Sequence, residues 1–379
     1  MNLKDKPITV IEPFQILGDV DEDLRQAIGV DVIGLWDPMN FMGVKNEKWK
    51  PWKMPDGTPT LMAGGFEYDI DEDGNTLAYP QGDRSCEYSM KLPKGGYFFD
   101  STSRVGPMDE NDLDPRRDYK DQFSVYSDDT LKYFEAESEK LYKETEYAII
   151  GNFGGGGFGD VATIPGHFLK KVRGIRNIED WLVAHILYPD YIKEVFEMQA
   201  EVAIKNLELY RQAVGDRIQV IQMSGTDFGG QNGELISLEL YRKLYKPYQK
   251  RLNDWVHKNT KWKTFYHSCG SIVNLIDDMI DAGVDILNPV QCSAAGMDPK
   301  MLKDKYGERI VFWGGGVDTQ RTLPFGTPEQ VEEQVKERLS IFSKGGGFVF
   351  NTIHNIVGNT PIANLIMMYQ TVKNFNNRH

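Results

Sequence analysis

Residues 263–291 read KTFYHSCGSIVNLIDDMIDAGVDILNPVQ, and the way this stretch breaks determines the fold. A β-rich apolar run, KTFYH (263–267), gives way to the small and polar HSCGS. A helical stretch follows, then a second apolar run, VDILNPV (284–290), whose end is again polar, NPVQCSAAG. Runs of this length, separated by helical stretches, are the pattern of parallel strands joined by crossover helices.

The same alternation extends in both directions. Candidate strands fall at YAIIG (147–151), IQVIQM (218–223), RIVFWGG (309–315) and GFVFNT (347–352). Between them lie helices such as 189–214, where apolar residues recur at spacings of three and four, and a helix announced by Thr327-Pro328-Glu329-Gln330, a cap residue followed by a first-turn proline. After nearly every strand the chain turns polar, small or chemically capable: SGTDFGGQNG, HSCGS, NPVQCSAAG, GGGVDTQ and NTIHN. Functional groups at the carboxyl ends of many successive strands converge in a β/α barrel, whereas an open doubly wound sheet gathers them at one switch point. The expected fold is therefore a (β/α)8 TIM barrel. Its main part is expected at 146–379, and residues 1–145 form an irregular N-terminal elaboration of hairpins and loops packing on it, the whole being a single domain.

The elaboration is rich in Asp, Gly, Pro and aromatics. DIDEDGNT (69–76) imitates the start of a calcium loop, but its twelfth position is Pro80 where a bidentate Glu is required, so a hairpin turning at Asp73-Gly74 is expected. Trp36, Met39, Phe41, Met42, Trp49 and Trp52 are dense for so irregular a region; they read as core, with Trp36 and Phe41 also open as an apolar wall for a substrate.

The 43 basic against 56 acidic side chains leave a net charge of −13, which disfavours nucleic acid and anionic membrane surfaces as partners. The N-terminus lacks a signal-peptide core and no run approaches a membrane span, so a cytoplasmic protein is expected. Three cysteines, Cys86, Cys269 and Cys292, make no disulfide framework, and a thiol in a reducing compartment is free for metal or catalysis.

His267 and Cys269 at one strand end and His354 at the last form a candidate zinc set: a catalytic zinc needs three protein ligands and an open position, and barrel topology can close their long sequence separation. The plain alternative is a capping His267, a packed Cys269 and a His354 bonded to a carbonyl. Cys292 or Asp227 could replace His354 as third ligand. Asp227 could equally position a substrate or cap a turn. Gln231, Asn288, Gln291 and Asp318, all on strand-end lips, are candidate substrate contacts, with Gln320 beside Asp318. NFGGGGFGD (152–160) lacks the Gly-Lys-Ser/Thr ending of a phosphate loop. His167 and His185 have no acid or thiol nearby in sequence and read as structural.

The block from YHSCGSIVNLIDDMIDAGVDILNPVQ through LKDKYGERIVFWGGGVDTQRTLPFGTPEQVEEQV to GGGFVFNTIHNIVGNTPIANLIMMY resembles the uroporphyrinogen decarboxylase superfamily and, within it, the corrinoid-linked methyltransferases. The resemblance spans 266–369 and extends more weakly through SGTDFGGQNGELISLELYRKLYKPY. It implies the barrel again. In the thiol-methylating members zinc is held by a His-x-Cys pair and a distant Cys; His267 and Cys269 match the pair, while the distant position is His354. The Arg-Gln-Ala-Gly-Arg motif of the decarboxylases is not reproduced by LRQAIGVD, where Arg25, Gln26 and Ala27 run into Ile28 and Gly29. The resemblance thus implies a zinc-dependent methyltransferase moving a methyl group from an O-methyl compound, such as a methoxylated aromatic, to cobalt(I) of a corrinoid protein partner, with zinc as Lewis acid and Asp227 and His267 as catalytic residues. The alternatives are transfer from a methyl-corrinoid to a thiol, as with coenzyme M, and a barrel that binds a tetrapyrrole or corrinoid without turnover. A homodimer is compatible with either.

Overall fold

The computed structural model describes residues 6–377. Seven strands pair in parallel and in strict chain order: β1 (Val32–Leu35), β2 (Ala148–Asn152), β3 (Val220–Ser224), β4 (Lys263–His267), β5 (Ile286–Asn288), β6 (Val311–Trp313) and β7 (Phe348–Val349). A doubly wound sheet reverses its order at a switch point; this one never does, which is the order of a β/α barrel. Seven strands of the eightfold pattern stand in the ladder among the described residues. α1 (Asp128–Glu144) and α2 (Pro189–Val214) precede β2 and β3, and α3 (Lys246–Asn259), α4 (Ile276–Asp281), α5 (Pro299–Tyr306) and α6 (Pro328–Phe342) fill the next four crossovers. α7 (Ile362–Asn376) follows β7. The predicted capping box at Thr327 and Gln330 opens α6.

The strands read as continuous apolar runs because both faces of a parallel sheet are covered. Tyr266, Ile286, Leu287 and Phe312 are all buried, each fully buried side chain of this size contributing about 1.5–3 kcal/mol. Register places His267 opposite Asn288 across the β4–β5 ladder, a pairing the site depends on.

The chain forms two compact units, each assembled from separate stretches. One comprises 28–35, 137–158 and 207–379 and holds the seven-stranded sheet; the other comprises 1–27, 36–136 and 159–206. β1 therefore comes from the stretch read as N-terminal elaboration: four residues of VDVIGLWDP supply a sheet strand, and more than a hundred residues pass before β2.

The other unit contains two small sheets. In one, Ile8–Glu12 lies between Leu17–Gly18 and Pro59–Met62, with Lys50–Lys53 outermost; the second is an antiparallel meander of Tyr68–Ile70, Thr76–Ala78, Met90–Leu92 and Asp100–Ser101. The calcium-like stretch is the expected hairpin: Asp71 Oδ1 accepts the backbone N–H groups of Asp73 and Asn75, and Gly74 adopts φ +84°. Met42 and Trp52 join a core with Val10, Met62, Phe66 and Phe99. Phe41 instead meets His167, ring centroids 4.1 Å apart, with Phe14 beside them. Burial pushes His167 down to about 4. His185 Nδ1 lies 2.7 Å from Trp181 O. Both histidines thus lie in packed surroundings, in a different compact unit from the His267–Cys269 pair. Trp36 is half-exposed. Among the described residues no helix is long and apolar enough to cross a membrane.

One buried carboxylate ties α3 to α4. Asp278 accepts from Arg242 at 3.0 Å and Lys246 at 2.6 Å. Burial works against its charge, yet these two cations outweigh it and hold the carboxyl below 3.8. Because the folded pKa is depressed, the stabilisation is complete above the unfolded value and is lost as pH falls through the lower folded value. Asp278→Ala is expected to lose about 1–3 kcal/mol near neutral pH, discounted because Arg242 is largely exposed. In urea titrations the gap from wild type should shrink as the pH falls below the ordinary carboxylate range; a gap independent of pH would contradict the ion pair.

Candidate metal centre

β4 delivers its last residue, His267, to the carboxyl end of the sheet, and the turn after it carries Cys269. His354 arrives from the segment after β7. One donor atom from each of His267, Cys269 and His354 lies within 4.8 Å of the other two. The Cys269 sulfur is 3.3 Å from His267 Nε2, and the two imidazoles stand 6.2 Å apart, centroid to centroid, at 72°. His267 and Cys269 are partly buried, whereas His354 is exposed, so the trio is open on one side.

Two soft thiolate-and-imidazole donor types within one ion's reach are a zinc-type donor set with an open position. Their surroundings fit that use. His267 Nδ1 lies 2.7 Å from Asn288 Oδ1, which leaves Nε2 turned toward Cys269. Although His354 is open to solvent as a whole residue, desolvation of its ring by the protein atoms around it and the neighbouring His267 hold it below its ordinary value, which favours the neutral imidazole a metal requires. The Cys269 thiol is pushed up by burial and by the Asp227 carboxylate. A divalent cation among the three donors reverses that balance, since it stabilises the thiolate directly.

Asp227, on the turn after β3, accepts the Cys269 backbone N–H at 2.6 Å and sits 3.8 Å from His267 Nε2. Of the three alternatives for the third donor, His354 is the residue brought together with the pair. Asp227 stands beside it as a brace. Cys292 lies against Gly315, and burial pushes its thiol up to about 11.

The turn after β3 and the turn after β4 are laced together. Ser268 Oγ accepts the Phe228 N–H, and Ser271 N–H donates to Gly230 O. Ser268 N–H in turn donates to Asn288 O. These contacts escaped the sequence reading. Their signal was the glycine pair in DFGG facing the single glycine of HSCGS, residues that let two backbones touch.

The polar residues expected to contact substrate are largely engaged with this scaffold. Gln291 Oε1 accepts from Gly270 N–H at 2.9 Å, its amide donates to Gln231 Oε1 at 3.1 Å, and Gln231 donates to Ser293 O at 2.6 Å. Asp318 Oδ1 accepts the N–H groups of Gln320 and Arg321, capping its own turn. Trp36 and Phe41 belong to the other compact unit. The glycine-rich turn after β2 is bonded inward: Gly154 N–H donates to Gln222 O, Gly156 N–H to Met223 O and Gly157 N–H to Gly154 O. Those amides are not arrayed toward an anion.

A segment of 142 residues is 33% identical to the methylcobamide:CoM methyltransferase MtbA of Methanosarcina acetivorans, covering 38% of this chain and 39% of that protein. A segment of 189 residues is 27% identical to the uroporphyrinogen decarboxylase of Prochlorococcus marinus, half of this chain and 49% of that one. The chain thus spans less than half the length of these curated relatives. The solved structure of a methyltransferase from Methanosarcina mazei superposes with a TM-score of 0.52 at 18% identity, over 77% of this chain and 76% of that one, a likeness of fold. The model of the uroporphyrinogen decarboxylase (URO-D) family matches residues 162–375, more than half of the chain and the part that carries β3 to β7 with all three donors, and the chain belongs to that family.

Proposed function

We propose that this protein is a zinc-dependent methyltransferase that takes a methyl group from an O-methyl compound, a methoxylated aromatic, and passes it to cobalt(I) of a corrinoid carried by a partner protein. The observation that carries the reading is the donor set, two imidazoles and one thiol within 4.8 Å of one another. A dication bound by one thiolate and two neutral imidazoles keeps a net positive charge, whereas two thiolates would cancel it. Zinc held by His267, Cys269 and His354 would supply Lewis acidity toward the ether oxygen, the leaving group that limits this chemistry.

The chain's own groups do the rest. Asn288 orients His267, and Asp227 holds the Cys269 turn through its backbone N–H. The Asp227 side chain is 38% exposed and 3.8 Å from His267 Nε2, so its carboxylate is accessible beside the donor set and can orient substrate, the departing oxygen taking its proton from solvent. The C–O electron pair stays on that oxygen, and the new bond to the methyl carbon forms from the electron pair of the corrinoid, which is a second substrate.

The names of the Methanosarcina relatives support a corrinoid as methyl partner. They also favour a second reading, transfer from a methyl-corrinoid to a thiol, which the imidazole at position 354 opposes. Assays in both directions with zinc-loaded protein separate them: methoxylated aromatics with cob(I)alamin should yield methylcobalamin and the phenol, while methylcobalamin with coenzyme M should turn over poorly. The reverse preference would overturn the O-demethylating reading. His354→Cys is expected to retain zinc and to lose at least about tenfold in demethylation, about 1.4 kcal/mol of barrier.

A further inference from the structure

Asn288 was a candidate substrate contact, but both ends of its amide are turned into the protein. It closes β5 directly across from His267. Its Nδ2 donates to the backbone carbonyl of Trp313 at 2.9 Å, and its Oδ1 lies 2.7 Å from His267 Nδ1. A backbone carbonyl only accepts, so the amide nitrogen must face Trp313 and the amide oxygen must face the imidazole. An oxygen acceptor opposite Nδ1 requires the proton on Nδ1. The lone pair is then on Nε2, the atom 3.3 Å from the Cys269 sulfur.

We propose that Asn288 is a positioning residue that selects the Nδ1–H tautomer of His267 and aims Nε2 at the metal position, its own orientation being set by the Trp313 carbonyl. The tautomer belongs to the protein alone, whereas its use in holding a metal rests on the reading above. β6 thereby acts on a ligand at the end of β4 through a single amide on β5. Two neighbouring strands, rather than the His-x-Cys turn itself, determine which ring nitrogen is available. Gln291 does a parallel task for the backbone, since its Oε1 takes the Gly270 N–H immediately after Cys269.

The test compares wild type, Asn288→Ala and Asn288→Asp as full-length protein. Imidazole 15N shifts of the metal-free protein read the tautomer, and chelator competition reads Co2+ affinity. Wild type should show His267 with Nδ1 protonated. Asn288→Ala should lose that preference and bind Co2+ about 10–100-fold more weakly, the usual effect of removing a group that orients a ligand. Asn288→Asp keeps an acceptor opposite Nδ1 and should restore the tautomer and most of the affinity. Dominant Nε2–H in wild type overturns the proposal, as does Co2+ binding by Asn288→Ala equal to wild type. Failure of wild type itself to bind Co2+ overturns the metal reading and this role with it, a result distinct from equal binding by wild type and variant. If Asn288→Ala does not fold, the wild-type shifts and the Asn288→Asp comparison still decide the matter.

Discussion

Alanine at His267 or at Cys269 is expected to give a folded protein that no longer retains zinc through purification. The apparent free energy of a full structural zinc site is about 10–16 kcal/mol, so one donor accounts for roughly 3–4 kcal/mol, on the order of 10²–10³ in affinity. Cys269 is the trio's only anionic donor, and its loss should be the larger of the two. Neither change should unfold the chain. The Cys269 turn is seated by backbone groups, its own N–H on Asp227 and the Gly270 N–H on Gln291, which survive removal of the sulfur. His267 is partly exposed, so its removal opens little of the core. His354→Ala should also lose metal with almost no cost in stability, since that residue is exposed. Metal analysis of the dialysed proteins, with thermal melts as control, checks this. Full zinc in both the His267 and Cys269 variants would sink the metal reading.

The strand order and the gathering of the three donors were legible in the sequence, and the reason is physical. A parallel strand is buried on both faces and writes a short apolar run into the chain, and a helix packed on one face writes apolar residues at spacings of three and four, so KTFYH and the helix at 189–214 appear with the bounds read from the sequence. Strand ends in such a sheet share one side, and this is how a histidine 85 residues beyond Cys269 could be nominated as its companion. What stayed hidden depends on neighbours that sequence spacing does not show. β1 is four residues long and is followed by a long excursion, so neither length nor alternation marked it. Asn288, Gln231 and Gln291 were recognised as polar groups on the right lips, but an amide facing a substrate and one facing a neighbouring loop have the same sequence signature. Asp227 had three readings open, as ligand, substrate contact or turn cap, and its bond to the Cys269 N–H across the two turns was a further role that no spacing in the sequence marks.

Gly270→Ala is expected to damage both stability and metal binding, because this glycine meets two demands at once. Its φ is +84°, where an L side chain is strained, and a Cβ there would lie 2.4 Å from the carbonyl carbon and oxygen of Gly229. The obstacle is backbone of the partner turn, itself fixed by the Ser271 N–H on Gly230 O and the Phe228 N–H on Ser268, so it cannot yield as a flexible side chain would. The conformational cost of about 1–2 kcal/mol and an overpacking cost of about 1–3 kcal/mol together give a loss of roughly 2–5 kcal/mol. Relief can come only by pushing the turn away from Gly229, which carries Cys269 with it, and a ligand displaced by about 1 Å costs on the order of a hundredfold in a geometry-dependent step. Gly345 separates the two demands. Its φ is +70°, yet a Cβ there would meet nothing within 4 Å. Gly345→Ala should therefore carry the conformational cost alone, about 1–2 kcal/mol, with Co2+ affinity unchanged. Denaturant titrations and chelator competition on the two variants decide the point: equal stability losses with metal affinity intact in both would mean that the two turns do not touch, and that the seat of Cys269 is not built from their contact.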